Sequence, residues 1–338
     1  MHKPIFYDSS IIGFLLVVGS VIAWLALNPQ SLPRPTQQIL LWSAVVGWIT
    51  IFYGSFIEPR FLVVKQTKIQ LQSTETKAAR HTAKTPSNEP KPGTRPLRLG
   101  LITDLQVGPY KKRAFVEKVV KKMMEEKPDI ILIGGDHVDD FEVKISYLEP
   151  LKELHAPLGV FAVLGNHDYG IDEHGDQYAP HNYAEELTER FKDWGIEMLI
   201  NEGRLIRDGD RAFGLLGTDD IWTGRADVAT ALSQLASPSD TPAEPLPIII
   251  LSHNPEIVNS TGRLRADLIL SGHTHGGQIR LPFLGAVPPL PHKLGRQFDK
   301  GLFTVGKSQL YISSGVGESG VRARLFVPPS IDLLEIEF

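Results

Sequence analysis

Several short apolar runs in this chain stop at a side chain able to hold a metal, and that recurrence constrains the fold more than any other feature. Asp267-Leu268-Ile269-Leu270 leads into Ser271-Gly272-His273-Thr274-His275-Gly276-Gly277-Gln278. Two histidines one residue apart cannot share a helix face, where neighbours lie three or four residues apart. A glycine-bounded turn can bend both toward one point. Ile248-Ile249-Ile250-Leu251 runs into Ser252-His253-Asn254-Pro255, and two further runs stop at Gly135-Asp136 and Gly165-Asn166-His167-Asp168. Leu97-Arg98-Leu99-Gly100-Leu101-Ile102-Thr103 delivers Asp104 in the same way. Ligands just past the C-terminal ends of buried strands lie where an α/β sheet has its binding crevice. The pattern implies metal-dependent hydrolytic chemistry.

The intervening segments read as the connections such a sheet needs. Residues 113–127 place Phe115, Val116, Val119, Val120, Met123 and Met124 on one helical face, closed by Pro128. Residues 130–133 read as a strand, 141–154 as a helix and 159–164 as a third strand, an order that implies parallel pairing through right-handed crossovers. After a polar loop at 169–182 and a helix near 184–194, the runs at 198–201, 204–207 and 212–216 read as hairpins, with a turn at Asp208-Gly209. Residues 223–244 read as a helix followed by a Pro/Ser loop, and strands follow at 302–305, 310–313 and 331–336. The expected fold class is α/β with α+β character: a two-layered β-sandwich core flanked by helices, over residues 97–338.

The N-terminal sixty residues have a different character. Residues 11–27 form an uncharged apolar run at the short limit for a bilayer-spanning helix. Residues 39–57 form a second, carrying Trp42, Trp48, Phe52, Tyr53 and Phe56 where interfacial aromatics sit. The Asn28-Pro29-Gln30-Ser31-Leu32-Pro33-Arg34-Pro35 segment between them suits a tight turn. A transmembrane helical hairpin over residues 1–60 is therefore expected in preference to a signal peptide or buried core helices, since no small-x-small cleavage site follows the first run and a second apolar span comes at once. Arg60, Lys65, Lys68, Lys77, Arg80 and Lys84 follow the second span while the turn carries only Arg34, so the positive-inside bias places the remainder in the cytoplasm, with the protein a multi-pass resident of the inner (plasma) membrane. Residues 61–71 read as an edge strand. Residues 73–96 hold almost no large apolar side chains and read as a disordered tether.

Composition removes several function classes. With no cysteine among 338 residues, thiolate zinc sites, cysteine nucleophiles and disulfides are excluded, so a metal must be held by His, Asp, Asn, Gln or Glu. A formal net charge of -4 argues against binding by massed phosphate neutralisation, and no nucleic acid is expected as a stable partner.

In chain order the chemistry-bearing groups are Asp104-Leu105-Gln106, Gly135-Asp136-His137-Val138-Asp139, Gly165-Asn166-His167-Asp168, His253 and Gly272-His273-Thr274-His275. This succession resembles the calcineurin-like metallophosphoesterase family, whose motifs run D-x-H, G-D-x-x-D, G-N-H-D/E, a single H and G-H-x-H. The hairpin followed by Ile57-Glu58-Pro59-Arg60 resembles its membrane-attached bacterial branch. The resemblance implies that Asp104, position 106, Asp136 and His275 hold one metal, and that Asp136, Asn166, His253 and His273 hold another. Asp136 then bridges two cations about 3.5–4 Å apart, a spacing that clamps the attacking and departing oxygens of an in-line displacement. His167 would face the phosphate as an imidazolium, and Asp168 would orient it. Asp139 and Asp140 read as carboxylates that either support the site residues from behind or belong to the loop, rather than as ligands. His137 reads either as lining the cleft or as a partly exposed bystander, and His155, His174, His181 and His292 read as surface residues.

Position 106 departs from the pattern, offering the Gln106 amide where the family has histidine. Either its carbonyl oxygen makes the first metal looser, or it faces substrate and leaves that metal one ligand short. Two divalent ions are expected, with Mn, Fe or Zn suiting the mixed nitrogen and oxygen donors and Mg admissible. The resemblance implies hydrolysis of a phosphoester or pyrophosphate by a metal-activated water. The tether suggests a phosphorylated, lipid-like substrate beside membrane lipid, as for family members that cleave UDP-2,3-diacylglucosamine. The alternatives are a general phosphodiesterase or phosphatase on a phospholipid or nucleotide, and a membrane-bound pseudoenzyme or binding module.

Overall fold

The computed structural model describes residues 3–71, 95–172, 176–179, 181–235, 246–260 and 266–338. Two six-stranded sheets pack face to face. The first has the order β1 (Val63–Gln70), β14 (Ser330–Glu337), β2 (Leu97–Ile102), β3 (Ile130–Gly134), β4 (Val160–Val163), β5 (Glu197–Met198). Strands β2 to β5 are mutually parallel, β14 runs antiparallel to β2, and β1, parallel to β14, is the edge strand expected from residues 61–71. The second sheet has the order β12 (Gly301–Val305), β13 (Ser308–Ile312), β9 (Leu268–Ser271), β8 (Ile248–Leu251), β7 (Arg211–Gly217), β6 (Glu202–Asp208). Its four central strands are parallel, and hairpins flank them on both edges.

Both faces of each sheet are covered, which is why the strands read as continuous apolar runs rather than as an alternation with polar residues. In β3, Ile130 and Leu132 point between the sheets, with Phe161, Phe213, Leu215 and Leu251, while Ile131 and Ile133 point outward. The outer face of the first sheet is closed by Val116, Val119, Val120 and Met123 of α3 (Arg113–Glu125) and by Leu187 and Phe191 of α5 (Ala184–Asp193). Behind the second sheet, Ile250 and Ile269 meet Val228 and Ala231 of α6 (Val228–Ser233) and Ile257 of α7 (Ile257–Ser260). The two-layered core with outer helices is as the sequence implied.

Three local expectations fail. Residues 141–144 are not helical, and Ile145–Glu153 winds as a 3-10 helix, because Pro150 inside it lacks the N–H that an α-turn needs. The helix expected from residue 223 starts only at α6, where the Asp227 carboxylate accepts from the Thr230 backbone N–H at 2.9 Å. The 198–201 run is not a hairpin arm: β5 adds to β4 in the first sheet, whereas β6 and β7 pair in the second. The tether reading for residues 73–96, apart from Arg95 and Pro96, lies outside the described residues, as do His174 and the Pro/Ser loop before Glu244.

At the N-terminus, α1 (Lys3–Leu27) and α2 (Arg34–Phe52) lie against each other as a hairpin. The Gln37 side chain donates to the Leu25 and Asn28 carbonyls, and the Trp48 indole donates to the Leu15 carbonyl at 2.9 Å. Both helices are long and apolar enough to cross a membrane, and they expose Leu16, Val17, Ile39 and Trp42. After α2 the chain passes through one π-turn (Tyr53–Ile57) and a 3-10 turn (Glu58–Arg60) into β1. There the buried Glu58 carboxylate accepts from the backbone N–H groups of Phe326 (3.0 Å) and Val327 (2.5 Å), which fastens the hairpin to the sandwich.

Candidate metal centre

The parallel strands of both sheets end at one edge, and the turns after β2, β3, β4, β8 and β9 interlock there. The Asp104 backbone N–H donates to the Gly135 carbonyl (3.0 Å), the Gln106 N–H to the Asp136 carbonyl (3.0 Å), and the His273 N–H to the Asp104 carboxylate (2.9 Å). Asp104, Gln106, Asp136, His273 and His275 all have φ between 48° and 68°, a left-handed conformation that side-chain-bearing residues adopt only where their surroundings impose it. Gly165 shows how tight the junction is. A Cβ there would collide with the Asp136 carboxylate and lie 2.5 Å from the Asp136 backbone nitrogen.

Asp136, His253 and His273 each present a ligand atom within 4.8 Å of the others, and so do Asp104, Asp136 and His275. Asp136 belongs to both groups. The imidazole tautomers follow from their partners. His253 Nδ1 lies 2.8 Å from the Gly134 carbonyl and His273 Nε2 2.9 Å from the Pro291 carbonyl. Carbonyls only accept, so those nitrogens carry the protons. The remaining lone pairs, on His253 Nε2 and His273 Nδ1, face each other at 3.0 Å with the Asp136 carboxylate 3.1 Å from His253. Such a pocket of converging lone pairs suits a cation, and orientation by a backbone carbonyl is the usual support of a metal-ligating histidine.

The oxygen donors have the same signature. Asp104 Oδ2, Gln106 Oε1, Asn166 Oδ1 and His275 Nδ1 are buried without a hydrogen-bond partner. Asn166 Nδ2 donates to the Ile171 carbonyl at 3.1 Å, which turns its oxygen the other way, and Gln106 Nε2 donates to Asp136 Oδ2 at 3.1 Å. Leaving an acceptor buried and unpaired costs about 1–3 kcal/mol each. Buried acceptors left unpaired on residues of this cluster are what divalent cations would satisfy. Without them, burial works against an ionised Asp136, but the His253 and His167 imidazoles hold its pKa well below the usual carboxylate range. Burial and neighbouring His253 push His273 well down, and burial lowers His275.

His167 stands beside this cluster, its Nε2 3.9 Å from Asp136 Oδ2 and 3.3 Å from the Ser319 hydroxyl. Burial opposes its charge, but the Asp136 carboxylate and the Asp140 hydrogen bond outweigh that and push its pKa up to about 9. Here the orienting residue differs from expectation. Asp140 Oδ1 lies 2.5 Å from His167 Nδ1, and the Tyr178 hydroxyl bonds to the same pair. Asp168 is turned away. As the N3 residue of α4 (Asn166–Tyr169), its carboxylate folds back onto the N–H groups of Gly165 (2.9 Å), His137 (2.8 Å) and Val138 (3.2 Å), so it staples two loops together. His137 neither lines the cleft nor is exposed. It is fully buried against Phe191, with Nε2 3.0 Å from the Val163 carbonyl. His155 and His181 are exposed, and half-buried His292 uses both ring nitrogens within its own loop.

The cluster floors a cavity of about 560 Å³ walled by Trp222, Tyr178, Ser319, Pro288 and Pro289. Trp222 packs edge-on against the His273 ring, with centroids 4.5 Å apart. Sequence reading missed Trp222, Tyr178 and Ser319, none of which sits in a motif. It also missed Arg324, which is fully buried and donates to the carbonyls of Ser314, Gly315, Gly317 and Val327. Arg324 thereby shapes the segment whose Gly317 N–H donates to the Asp104 carbonyl at 2.6 Å.

This architecture is that of a phosphoester-hydrolysing metalloenzyme. Residues 97–277 match the calcineurin-like phosphoesterase family model, and the chain belongs to that family of metal-dependent phosphohydrolases. It is 30% identical to Phosphodiesterase YaeI of Escherichia coli (strain K12), over 73% of this chain and 84% of that protein. It is also 29% identical to UDP-2,3-diacylglucosamine pyrophosphatase LpxG of Chlamydia trachomatis, over 70% of this chain and 83% of that one. An uncharacterized metallophosphoesterase of Helicobacter pylori (strain J99) is 33% identical over 71% of this chain and 60% of its own length.

Proposed function

We propose that the chain is a membrane-held phosphohydrolase whose binuclear centre cleaves a phosphodiester or pyrophosphate bond of an amphiphilic substrate. Asp104, Gln106, Asp136 and His275 would hold one divalent ion, and Asp136, Asn166, His253 and His273 the other. The observation that carries this assignment is that Asp136 belongs to two groups of converging ligand atoms, with His253 and His273 in one and Asp104 and His275 in the other. The mixture of imidazole, carboxylate and amide donors favours Mn, Fe or Zn. When bound, the ions would supply positive charge at the scissile phosphoryl group and lower the pKa of an attacking water.

The chain's own residues supply the rest. Asp140 accepts from His167 Nδ1 and so directs Nε2–H into the cleft, where the imidazolium stabilises charge developing on the phosphoryl oxygens and can hand its proton to the departing oxygen. Trp222 and the Pro288-Pro289 wall exclude water from one flank, which strengthens those interactions.

Membrane attachment is supported by the exposed apolar surface of α1 and α2, an extent of exposure that water does not favour. In this reading both helices cross the bilayer, and the basic residues after the second span, Arg60, Lys65 and Lys68, keep the sandwich on the cytoplasmic side. A substrate with one end in the membrane follows, and a UDP-linked diacylglucosamine is the first example to try, given the similarity to the chlamydial pyrophosphatase. Purified protein in detergent with Mn should hydrolyse UDP-2,3-diacylglucosamine or a phospholipid diester with a kcat/KM well above that for bis(p-nitrophenyl) phosphate. Equal efficiency on all three contradicts a lipid-like substrate, and no turnover of any contradicts the hydrolase assignment.

A further inference from the structure

Beside the cleft the sandwich carries a group of large apolar side chains that no described element covers. Strands β10 (Arg280–Leu281) and β11 (Gly285–Ala286) form a small ribbon whose connection is Pro282-Phe283-Leu284. Phe283 is wholly exposed and Leu284 is 71% exposed, with Leu281 and Val287 exposed on either side. Such a turn in water ordinarily carries Gly, Asn, Asp or Ser. Phe283 also holds φ at 67°, where a bulky side chain is disfavoured, so both its conformation and its surroundings count against an aromatic residue facing solvent.

The position of the ribbon says what covers it. Its root is bonded to the segment that grips the hairpin: the Arg280 N–H donates to the Leu325 carbonyl at 2.9 Å, and next comes Phe326, exposed, with its own N–H held by Glu58 at the end of the hairpin. Gly54 of the hairpin accepts from the Arg324 N–H at 2.9 Å, and Arg322 lies 3.2 Å from Asp8 at the start of α1. Residues 322–326 therefore pack on the end of the hairpin nearest the sandwich. Phe61, Phe326 and Val321 are exposed on these same segments, and the ribbon leads through Val287 directly into Pro288 of the cleft wall.

We propose that the Pro282-Phe283-Leu284 tip is a wedge that enters the acyl layer of the same bilayer leaflet as the adjoining end of the hairpin. It thereby sets the mouth of the metal centre at the lipid surface. The inference rests on the membrane reading of the hairpin given above. With the tip inserted, an amphiphile reaches the phosphate site while its apolar part stays in the leaflet.

The absence of native cysteine makes the test clean. The full chain is made as three single-cysteine variants: Phe283→Cys, Leu16→Cys in the middle of α1, and Lys307→Cys in the exposed β12–β13 turn, at the edge of the sheets opposite the metal centre. Each is labelled with an environment-sensitive dye and placed in vesicles of phosphatidylethanolamine and phosphatidylglycerol with brominated acyl chains. The wedge requires quenching at positions 16 and 283 but not at 307. Quenching at 16 with position 283 matching 307 overturns the wedge alone, the patch then facing water or a protein. Failure at both 16 and 283 overturns it together with the membrane reading. In parallel, Phe283→Ser with Leu284→Ser should raise KM for a vesicle-borne phosphodiester about tenfold while sparing soluble bis(p-nitrophenyl) phosphate. An unchanged KM on vesicles overturns the access role.

Discussion

Asp136 is where the residue-scale account concentrates. One carboxylate shared by two groups of imidazole and oxygen donors means that ligands around either ion should fail in the same manner. His253→Ala and His275→Ala are each expected to abolish turnover and lower bound metal, measured by elemental analysis of purified protein. His292→Ala, whose ring bonds only within its own loop, should leave both within about twofold. Gln106 can be tested by restoring the family's histidine. Gln106 lies against Asp136, its side-chain N–H donating to Asp136 Oδ2 at 3.1 Å; in the proposed assignment Gln106→His should tighten one of the two metals, and unchanged affinity would show that this position never touches it. The two carboxylates near His167 separate by their contacts. Asp140→Asn removes the charge that holds the His167 proton and should lower kcat about 10²-fold with metal content intact. Asp168→Asn replaces one of the two accepting oxygens with an NH2 group, breaks at least one of the three backbone bonds, and should lower the unfolding temperature. The sequence revealed the ligands because each is announced by a local run and turn. It did not reveal which aspartate turns toward His167, because that depends on how the 136–140 loop and α4 fold back on each other.

At the scale of elements, the centre is built from turns held at positive φ, and the loop at 313–327 braces them from outside. Arg324 is the keystone of that loop: fully buried, it donates to four carbonyls and lies 3.8 Å from Glu318, which in turn pairs with buried Lys111 at 3.0 Å. Arg324→Met keeps the bulk but strands those carbonyls, and should cost about 3–5 kcal/mol, read as a fall in the denaturant midpoint. The central strands β3, β4, β8 and β9 were legible because both of their faces are buried, so each reads as an apolar run. Short helices were not. Pro150 tightened one to 3-10 geometry, and α6 rests on a single Asp227 cap and a few core contacts, signals too weak to separate from the flanking loop.

Over the whole molecule, the first sheet is completed by distant partners: β1 pairs with β14, a join of the first residues after the hairpin to the end of the chain. No local pattern announces such a pairing. The two sheets are also linked by a polar contact inside an otherwise apolar core, where Asp332 of β14 accepts from the Tyr311 hydroxyl (2.8 Å) of β13 and the Ser313 hydroxyl (2.5 Å) just beyond it. Burial raises the Asp332 pKa to about 6, against the lowering effect of those two hydroxyls. The folded protein then holds a proton there that the unfolded chain has already released near pH 4. This contribution is fully present below about pH 4 and is lost by about pH 6, an amount on the order of 3 kcal/mol. Asp332→Asn should remove that part of the slope from a series of denaturant midpoints between pH 4 and pH 7, and an unaltered slope would show that Asp332 ionises as freely as in the open chain.

The most direct measurement of the central claim is electron paramagnetic resonance of the Mn-loaded 338-residue chain. Two ions sharing the Asp136 carboxylate would lie about 3.5–4 Å apart and would be exchange-coupled, so the spectrum should be that of a spin-coupled pair and should collapse in Asp136→Asn. A spectrum of isolated Mn ions in the parent protein at full occupancy would contradict the bridged centre.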